Sequence, residues 1–274
     1  MSENLNHKKL FFHVGLAKTG STYLQNKFFH KLDGIRYIHT SKFYKYETII
    51  AESNEGGLLF SREFDRQFFD DTEKIAKLYP NAKMIIVLRS NEKWIASQYR
   101  RYVKNGGSKD IKNFIDIADN KGVWKNEEAL FFPKLEFLKK HFVNQPLVLF
   151  YEEFKEDPHK VFQKIADYTG TEYIIEQISL KAKHKSYSEK QLLFVKNITQ
   201  RLYKKDPDEF TKGEVSWLKY RSRWLLLHLA LYFAKILPVK YKVKLINQDD
   251  LKACKAFYKN DWERCKQFSK EYSA

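Results

Sequence analysis

The chain has 274 residues, 43% of them apolar, and carries 50 Lys and Arg against 34 Asp and Glu, a formal net charge of +16. That length and apolar share support a sizeable buried core and argue against a disordered chain. The charge suits anionic ligands or surfaces without choosing among them, and no recognisable nucleic-acid module accompanies it, so no nucleic-acid partner is expected.

In chain order, Met1 to Lys9 is polar and charged with no apolar signal core behind it, which predicts neither a secreted protein nor one held by an N-terminal span. An apolar strand near 10–15 then runs into Gly15. A short loop carries Lys18 and Gly20, and Ser21-Thr22 opens a helix. Backbone N–H groups at a helix start lack intrahelical partners, and glycines let the chain approach an anion closely, so the segment reads as an oxyanion cradle. Its Gly15-x4-Gly20-Ser21-Thr22 spacing is close to a nucleotide P-loop, but the lysine is displaced to position 18 and Ser21 fills the slot of the Walker A lysine.

A strand near 35–38 precedes His39, and one near 57–61 runs into Ser61-Arg62-Glu63. The continuously apolar run 83–89 reads as a buried parallel strand ending in Arg89. Ser90-Asn91 supplies an N-cap for a helix from Glu92 to Lys104, closed by Gly106-Gly107, with Ser97 about two turns in. A strand near 146–151 precedes Asp157-Pro158, an N-cap followed by proline at the first helical position, and Gly170 closes that helix. From Ser188 onward only helical patterns follow. The strand–helix alternation predicts an α/β fold: a P-loop-like three-layer α/β/α arrangement with a central parallel sheet and a C-terminal helical region. No Gly-, Pro- or Ser-rich linker divides the chain, so residues 1–274 are expected to form a single domain, with an α/β core over about 10–180 and helices over about 181–274. Cys254 and Cys265 fall in one helical pattern about 16 Å apart, which predicts reduced thiols of a cytoplasmic protein.

Ligands of open α/β sheets bind outside the carboxyl ends of the strands. The Lys18 loop and Arg89 would share that edge, and a guanidinium with a nearby hydroxyl suits a second phosphate. Two phosphate sites imply a ligand phosphorylated at both ends. Gly15-x-x-Lys18-Thr19-Gly20-Ser21-Thr22 together with Ile85-Ile86-Val87-Leu88-Arg89-Ser90-Asn91-x5-Ser97-x-Tyr99 resembles the sulfotransferases that use 3′-phosphoadenylyl sulfate (PAPS). Leu147-Val-Leu-Phe-Tyr151-Glu152-Glu153-Phe154-x-x-Asp157-Pro158 is similar to that family's third stretch, so the likeness covers roughly residues 10 to 170.

The resemblance implies PAPS as donor and 3′,5′-bisphosphoadenosine (PAP) as product. Lys18, Thr19, Gly20, Ser21 and Thr22 would hold the 5′-phosphosulfate, and Arg89 and Ser97 the 3′-phosphate. His184-Lys185-Ser186 is similar to an Asn-Lys-Ser segment of bacterial members, which adds Lys185 as a donor-binding candidate, although His184 replaces the asparagine. Phe257 to Phe268 is similar to their closing helix. Lys18 is the expected catalytic cation.

Glu63 is the expected base, because Ser-Ser-Glu turns occur in bacterial relatives; Arg62 in the middle position departs from them and would depress a Glu63 carboxyl. His39 is the second candidate, since imidazole titrates near neutrality. His13 is expected to be a packed core residue. No metal is expected. The bacterial cast of the motifs points to a glycan hydroxyl (or amine) of a capsular, exopolysaccharide or lipooligosaccharide unit as acceptor, with a lipid or small molecule as the alternative. Other classes are a P-loop kinase or NTPase, whose Walker B acid is missing from the strand ending in Arg89, and a non-catalytic basic protein that binds membrane or polyanion.

Trp217 to Lys244 holds an apolar run at 224–238, interrupted by His228 and Lys235 and flanked by Lys and Arg. It is too short for a membrane span. A buried core helix is the default expectation. An interfacial helix, giving peripheral contact with the inner face of the membrane, is the alternative.

Overall fold

The computed structural model describes residues 8–180, 186–202, 217–238 and 241–272. Five strands form one sheet: β1 (Lys9–His13), β2 (Arg36–Ile38), β3 (Gly57–Ser61), β4 (Lys83–Leu88) and β5 (Leu147–Phe150). The order is β2-β3-β1-β4-β5 and every pairing is parallel, with His13 opposite Ser61 on one side and Ile85 on the other. Each strand falls within a few residues of its expected position, and beyond the end of β1 the Val14 N–H still donates to the Ile85 carbonyl at 3.0 Å.

The strands are apolar between their ends because both faces of the sheet are covered. Residues that alternate along β1 serve different cores. Phe11 packs with Phe28, Phe29, Val161, Phe162 and Ile165. Phe12 on the other face stacks on Phe60 with ring centroids 5.1 Å apart and meets Phe43 and Tyr46 edge-on. Much of the aromatic content is therefore core.

The chain divides into two compact units. The first comprises residues 1–90, 130–183 and 259–274, and the second 91–129 and 184–258. The first holds the sheet and its flanking helices. Helix Pro158–Thr169 starts as expected: the Asp157 carboxylate accepts from the N–H groups of His159 and Lys160, and Gly170 closes the helix with φ 66°. Helix Phe132–His141 is capped from far along the chain, where the buried Asp261 accepts from the N–H groups of Phe131 and Phe132 at 2.9 Å. Asp261 lies on helix Lys259–Tyr272, which packs Trp262 against Phe150 of β5 at 5.1 Å.

The helix expected to open at Ser21 is α-helical only over Ser21–Tyr23. It continues as a π-turn over Leu24–Phe28 and a 3₁₀ turn over Phe29–Lys31.

The second unit is helical, with helices Asn91–Lys104, Ile111–Phe114, Glu189–Leu202, Trp217–Ile236 and Gln248–Phe257. Helix Asn91–Lys104 buries Trp94, Tyr99, Tyr102 and Val103. Trp94 meets Trp124 edge-on at 5.0 Å, and the Lys196 ammonium reaches the Asp110 carboxylate and the Tyr99 hydroxyl.

Two expectations need correction. The closing helix is not continuous from Phe257, because Tyr258 separates Gln248–Phe257 from Lys259–Tyr272; the cysteines therefore lie on different helices rather than along one. Both are free and buried, and burial pushes the Cys254 thiol up to about 11 and Cys265 further in the same direction. The apolar run after Trp224 is not simply core. Helix Trp217–Ile236 buries Leu227, Ala230, Leu231 and Ala234, while the opposite side is exposed apolar surface.

Candidate active site

Within the first unit, the chain leaves β1 toward β3 and β2 and leaves β4 toward β5, so the carboxyl ends of β1 and β4 form the switch point where open α/β sheets bind ligands. The loop after β1 packs closely there at Gly15. A Cβ at Gly15 would lie 2.8 Å from His13 Nε2 and 3.3 Å from the Val87 backbone nitrogen. Lys18 is exposed and has φ 72°, a left-handed conformation that is uncommon for a side chain other than glycine and clusters at functional sites. Gly20 has φ 98° and provides no side-chain cap, so the helix start at Ser21 presents N–H groups without a capping side chain.

The loop hydroxyls turn inward. Thr19 Oγ1 donates to the Leu16 carbonyl at 2.6 Å and Ser21 Oγ to the same oxygen at 3.3 Å, both buried, whereas Thr22 is exposed. Thr19 and Ser21 therefore shape the loop with their side chains. Asp65 braces the loop by accepting the Ala17 N–H at 3.1 Å.

Arg89 follows β4 directly. Its guanidinium donates to the Lys18 carbonyl at 3.3 Å and lies over the Tyr151 ring, 4.7 Å from the centroid. The Tyr151 ring also lies 3.2 Å from where a Gly20 Cβ would be, so one aromatic face at the end of β5 backs both the loop and the guanidinium. Glu152 accepts the Ser90 N–H at 3.3 Å. Lys18 and Arg89 are thus brought to one edge.

Glu63, half-buried, sits on the turn after β3. That turn is tied to β1 and the loop because Arg62 N–H donates to the His13 carbonyl at 3.0 Å and Phe64 N–H to the Gly15 carbonyl at 3.1 Å. The Arg62 guanidinium lies over the exposed Tyr44 ring at 4.1 Å. His39, exposed, spends its Nδ1 on the turn that follows it, accepting the Ser41 N–H and bonding the Ser41 hydroxyl at 2.9 Å. It follows β2, two strands away from β1, roughly 10 Å at ordinary strand spacing.

His13 is fully buried, as expected of a core residue. Its Nδ1 bonds Ser61 Oγ at 2.8 Å, and Gln25 donates to the same hydroxyl at 3.0 Å. Burial depresses its pKa to about 3, so the ring is neutral. Ser97 belongs to the second unit, half-buried on helix Asn91–Lys104 and turned away from the side that buries Trp94, Tyr99 and Tyr102. Lys185 lies outside the described residues.

Tyr151, Asp65 and the His13–Ser61–Gln25 group are not identifiable from motif spacing, because their partners lie far along the chain. Only the position of Tyr151 at the end of a strand pointed toward the edge.

The family described as Sulfotransferase domain matches residues 9–220. None of the curated proteins matches the chain. Among solved structures, the sulfotransferase from Alicyclobacillus acidocaldarius is similar over 70% of this chain and 92% of its own, with 15% identity and a TM-score of 0.52. The mouse sulfotransferase SULT7A1 complexed with PAP aligns over 64% of this chain and 66% of its own, with 16% identity and a TM-score of 0.42. The first likeness concerns the fold, which agrees with the parallel sheet and flanking helices described above. With the family match spanning most of the chain, including the Lys18 loop and Arg89, the protein belongs to the sulfotransferase domain family.

Proposed function

We propose that this enzyme transfers the sulfuryl group of PAPS to a hydroxyl of a glycan, releasing PAP, with residues 1–274 acting as one sulfotransferase domain in the cytoplasm. The observation that carries the reading is the Arg89 guanidinium against the Lys18 carbonyl, which joins the two anion motifs at the β1/β4 switch point. The acceptor oxygen attacks sulfur in line as the bond from sulfur to the bridging phosphate oxygen breaks, so negative charge gathers on the 5′-phosphate. The Lys18 ammonium and the N–H groups from Thr19 to Thr22 stabilise that charge, and little else is required of the protein beyond alignment. Arg89 binds the 3′-phosphate and lends remote binding energy to that alignment. Ser97 and Lys185 keep the donor-binding roles that the motifs imply.

Glu63 removes the acceptor proton. Its support is its place on the turn tied to His13 and Gly15, whereas His39 is engaged in its own turn and two strands from β1. The Arg62 guanidinium next to Glu63 lies over Tyr44, an exposed aromatic. The reduced, buried cysteines suit a cytoplasmic site. A bacterial surface polysaccharide or lipooligosaccharide is the acceptor class that the motifs favour.

Calorimetry with PAP, AMP and ATP tests the donor assignment. A guanidinium–phosphate bond is worth about 1.5–3 kcal/mol, so PAP should bind roughly tenfold to a hundredfold tighter than AMP. Arg89→Ala should bring PAP down to the AMP level while leaving AMP unchanged, and Lys18→Ala should weaken both. Equal affinity for PAP and AMP in the unmodified protein would remove the donor. Labelled PAPS offered with glycan, lipid and small-molecule acceptors then identifies the acceptor class.

A further inference from the structure

Helix Trp217–Ile236 is apolar nearly all round, which an ordinary surface helix is not. One stripe, Leu227, Ala230, Leu231 and Ala234 at helical spacing, is buried within the second unit, where Gln191 donates to the Leu231 carbonyl at 2.8 Å. On the opposite side Leu218, Leu225, Leu229, Tyr232, Phe233 and Ile236 face outward, each between 46% and 71% exposed. At 100° per residue they share one broad face, and a contiguous apolar patch of this kind marks an interaction surface.

Charge decides what covers it. Residues 215–248 contain no Asp or Glu but seven cations: Lys219, Arg221, Arg223, Lys235, Lys240, Lys242 and Lys244. Arg223 is engaged with the Gly106 carbonyl, while Arg221, Lys235, Lys242 and Lys244 are exposed. A second copy of the chain would bring the same unbalanced cations against these. An anionic surface would neutralise them. Among the described residues no helix is long and apolar enough to cross a membrane, so the helix would lie along such a surface rather than through it.

We propose that the outward face of helix Trp217–Ile236 is a docking surface for an anionic lipid bilayer. Leu225, Leu229 and Ile236 enter the acyl boundary, Tyr232 lies at headgroup level, and the flanking cations meet lipid phosphates. The inference does not rest on the transferase reading, since docking needs neither donor nor acceptor.

Flotation with vesicles of phosphatidylcholine alone, and of phosphatidylcholine and phosphatidylglycerol in equal amounts, tests it. A cation near an anionic surface is worth about fivefold in partition, so anionic vesicles should bind at least about tenfold better than neutral ones at low salt. That preference should shrink at about 0.5 M NaCl, where screening shortens the Debye length to a few Å. Leu225→Glu with Leu229→Glu should cost a further tenfold or so, because an apolar anchor is replaced by charges that the lipid repels. Lys242→Glu with Lys244→Glu should abolish the preference for anionic lipid.

Both pairs are exposed, and unchanged circular dichroism and an unchanged urea midpoint would show that each variant is folded. No flotation of the unmodified protein at low salt, equal binding to both vesicles, or unchanged flotation of the Leu225/Leu229 variant would overturn the proposal. A dimer in sedimentation velocity that the same variant dissociates, without flotation, would assign the face to self-association instead.

Discussion

Glu63 is held near the loop through its neighbours, since the N–H groups on either side of it, of Arg62 and Phe64, donate to His13 and Gly15. A carboxylate fixed in this way can take a proton without being part of the donor site. Glu63→Gln keeps the shape and the turn but removes the proposed base, so turnover should fall by about 10²–10⁴ while PAP affinity stays unchanged. Single-turnover kinetics with calorimetry on the same sample separates the two. Loss of PAP affinity in step with turnover would make Glu63 a donor-site brace, and unchanged turnover would reassign the base.

At this scale the arrival of Lys18 and Arg89 at one sheet edge was legible, because each follows an apolar run that reads as a buried strand. The left-handed φ of Lys18, the Asp65 brace and the Tyr151 ring were not legible. Each depends on where a distant part of the chain comes to rest, and no local spacing carries that information.

The strands and the helix caps were legible for the same physical reason: their signals are local. Continuous apolar runs located β3, β4 and β5 to within about three residues, and Asp157-Pro158 with Gly170 bounded a helix at both ends. The segment after Gly20 was not legible, because its Ser-Thr start announces a helix and says nothing of the wider turn that follows. That π-turn contains Gln25, whose amide reaches inward to Ser61 Oγ and so links the segment to β3. The break at Tyr258 was equally hidden, since the sequence around it contains neither Gly nor Pro.

The fit of β1, its loop and β4 depends on Gly15 lacking a side chain. Gly15→Ala places a methyl 2.8 Å from a His13 ring that Ser61 holds and 3.3 Å from main chain in β4, so the loop must move. Overpacking of this kind costs about 1–3 kcal/mol. Urea melts should show a lower midpoint at unchanged slope, and PAP affinity should fall with the loop's displacement. Retention of both midpoint and affinity would mean that the ring moves aside freely and that glycine is not required there.

For the molecule as a whole, two features set how stability responds to acid. The chain starts from a net charge of +16, and each proton added as pH falls increases its self-repulsion. His13 is fully buried and neutral, with a folded pKa near 3 against an ordinary value of 6.5, and desolvation by burial is the cause. Between those values the unfolded chain binds a proton at this site that the folded chain does not. The site's contribution is therefore complete above pH 6.5 and is lost progressively as pH falls toward 3.

The slope is about 1.4 kcal/mol per pH unit, or roughly 2 kcal/mol by pH 5. Salt separates the two features: about 0.5 M NaCl screens repulsion between surface charges but leaves a buried imidazole unchanged. Urea melts from pH 7.5 to 5 should therefore show a loss of stability that salt reduces only in part. The remainder should disappear in His13→Gln if that variant folds. If it does not, the NMR signals of the unmodified protein's His13 ring should still show no protonation down to pH 5. A stability that is flat from pH 7 to pH 5 at high salt, or a His13 ring that titrates near 6.5, would mean that the imidazole is reached by water and is not sealed beneath Gly15.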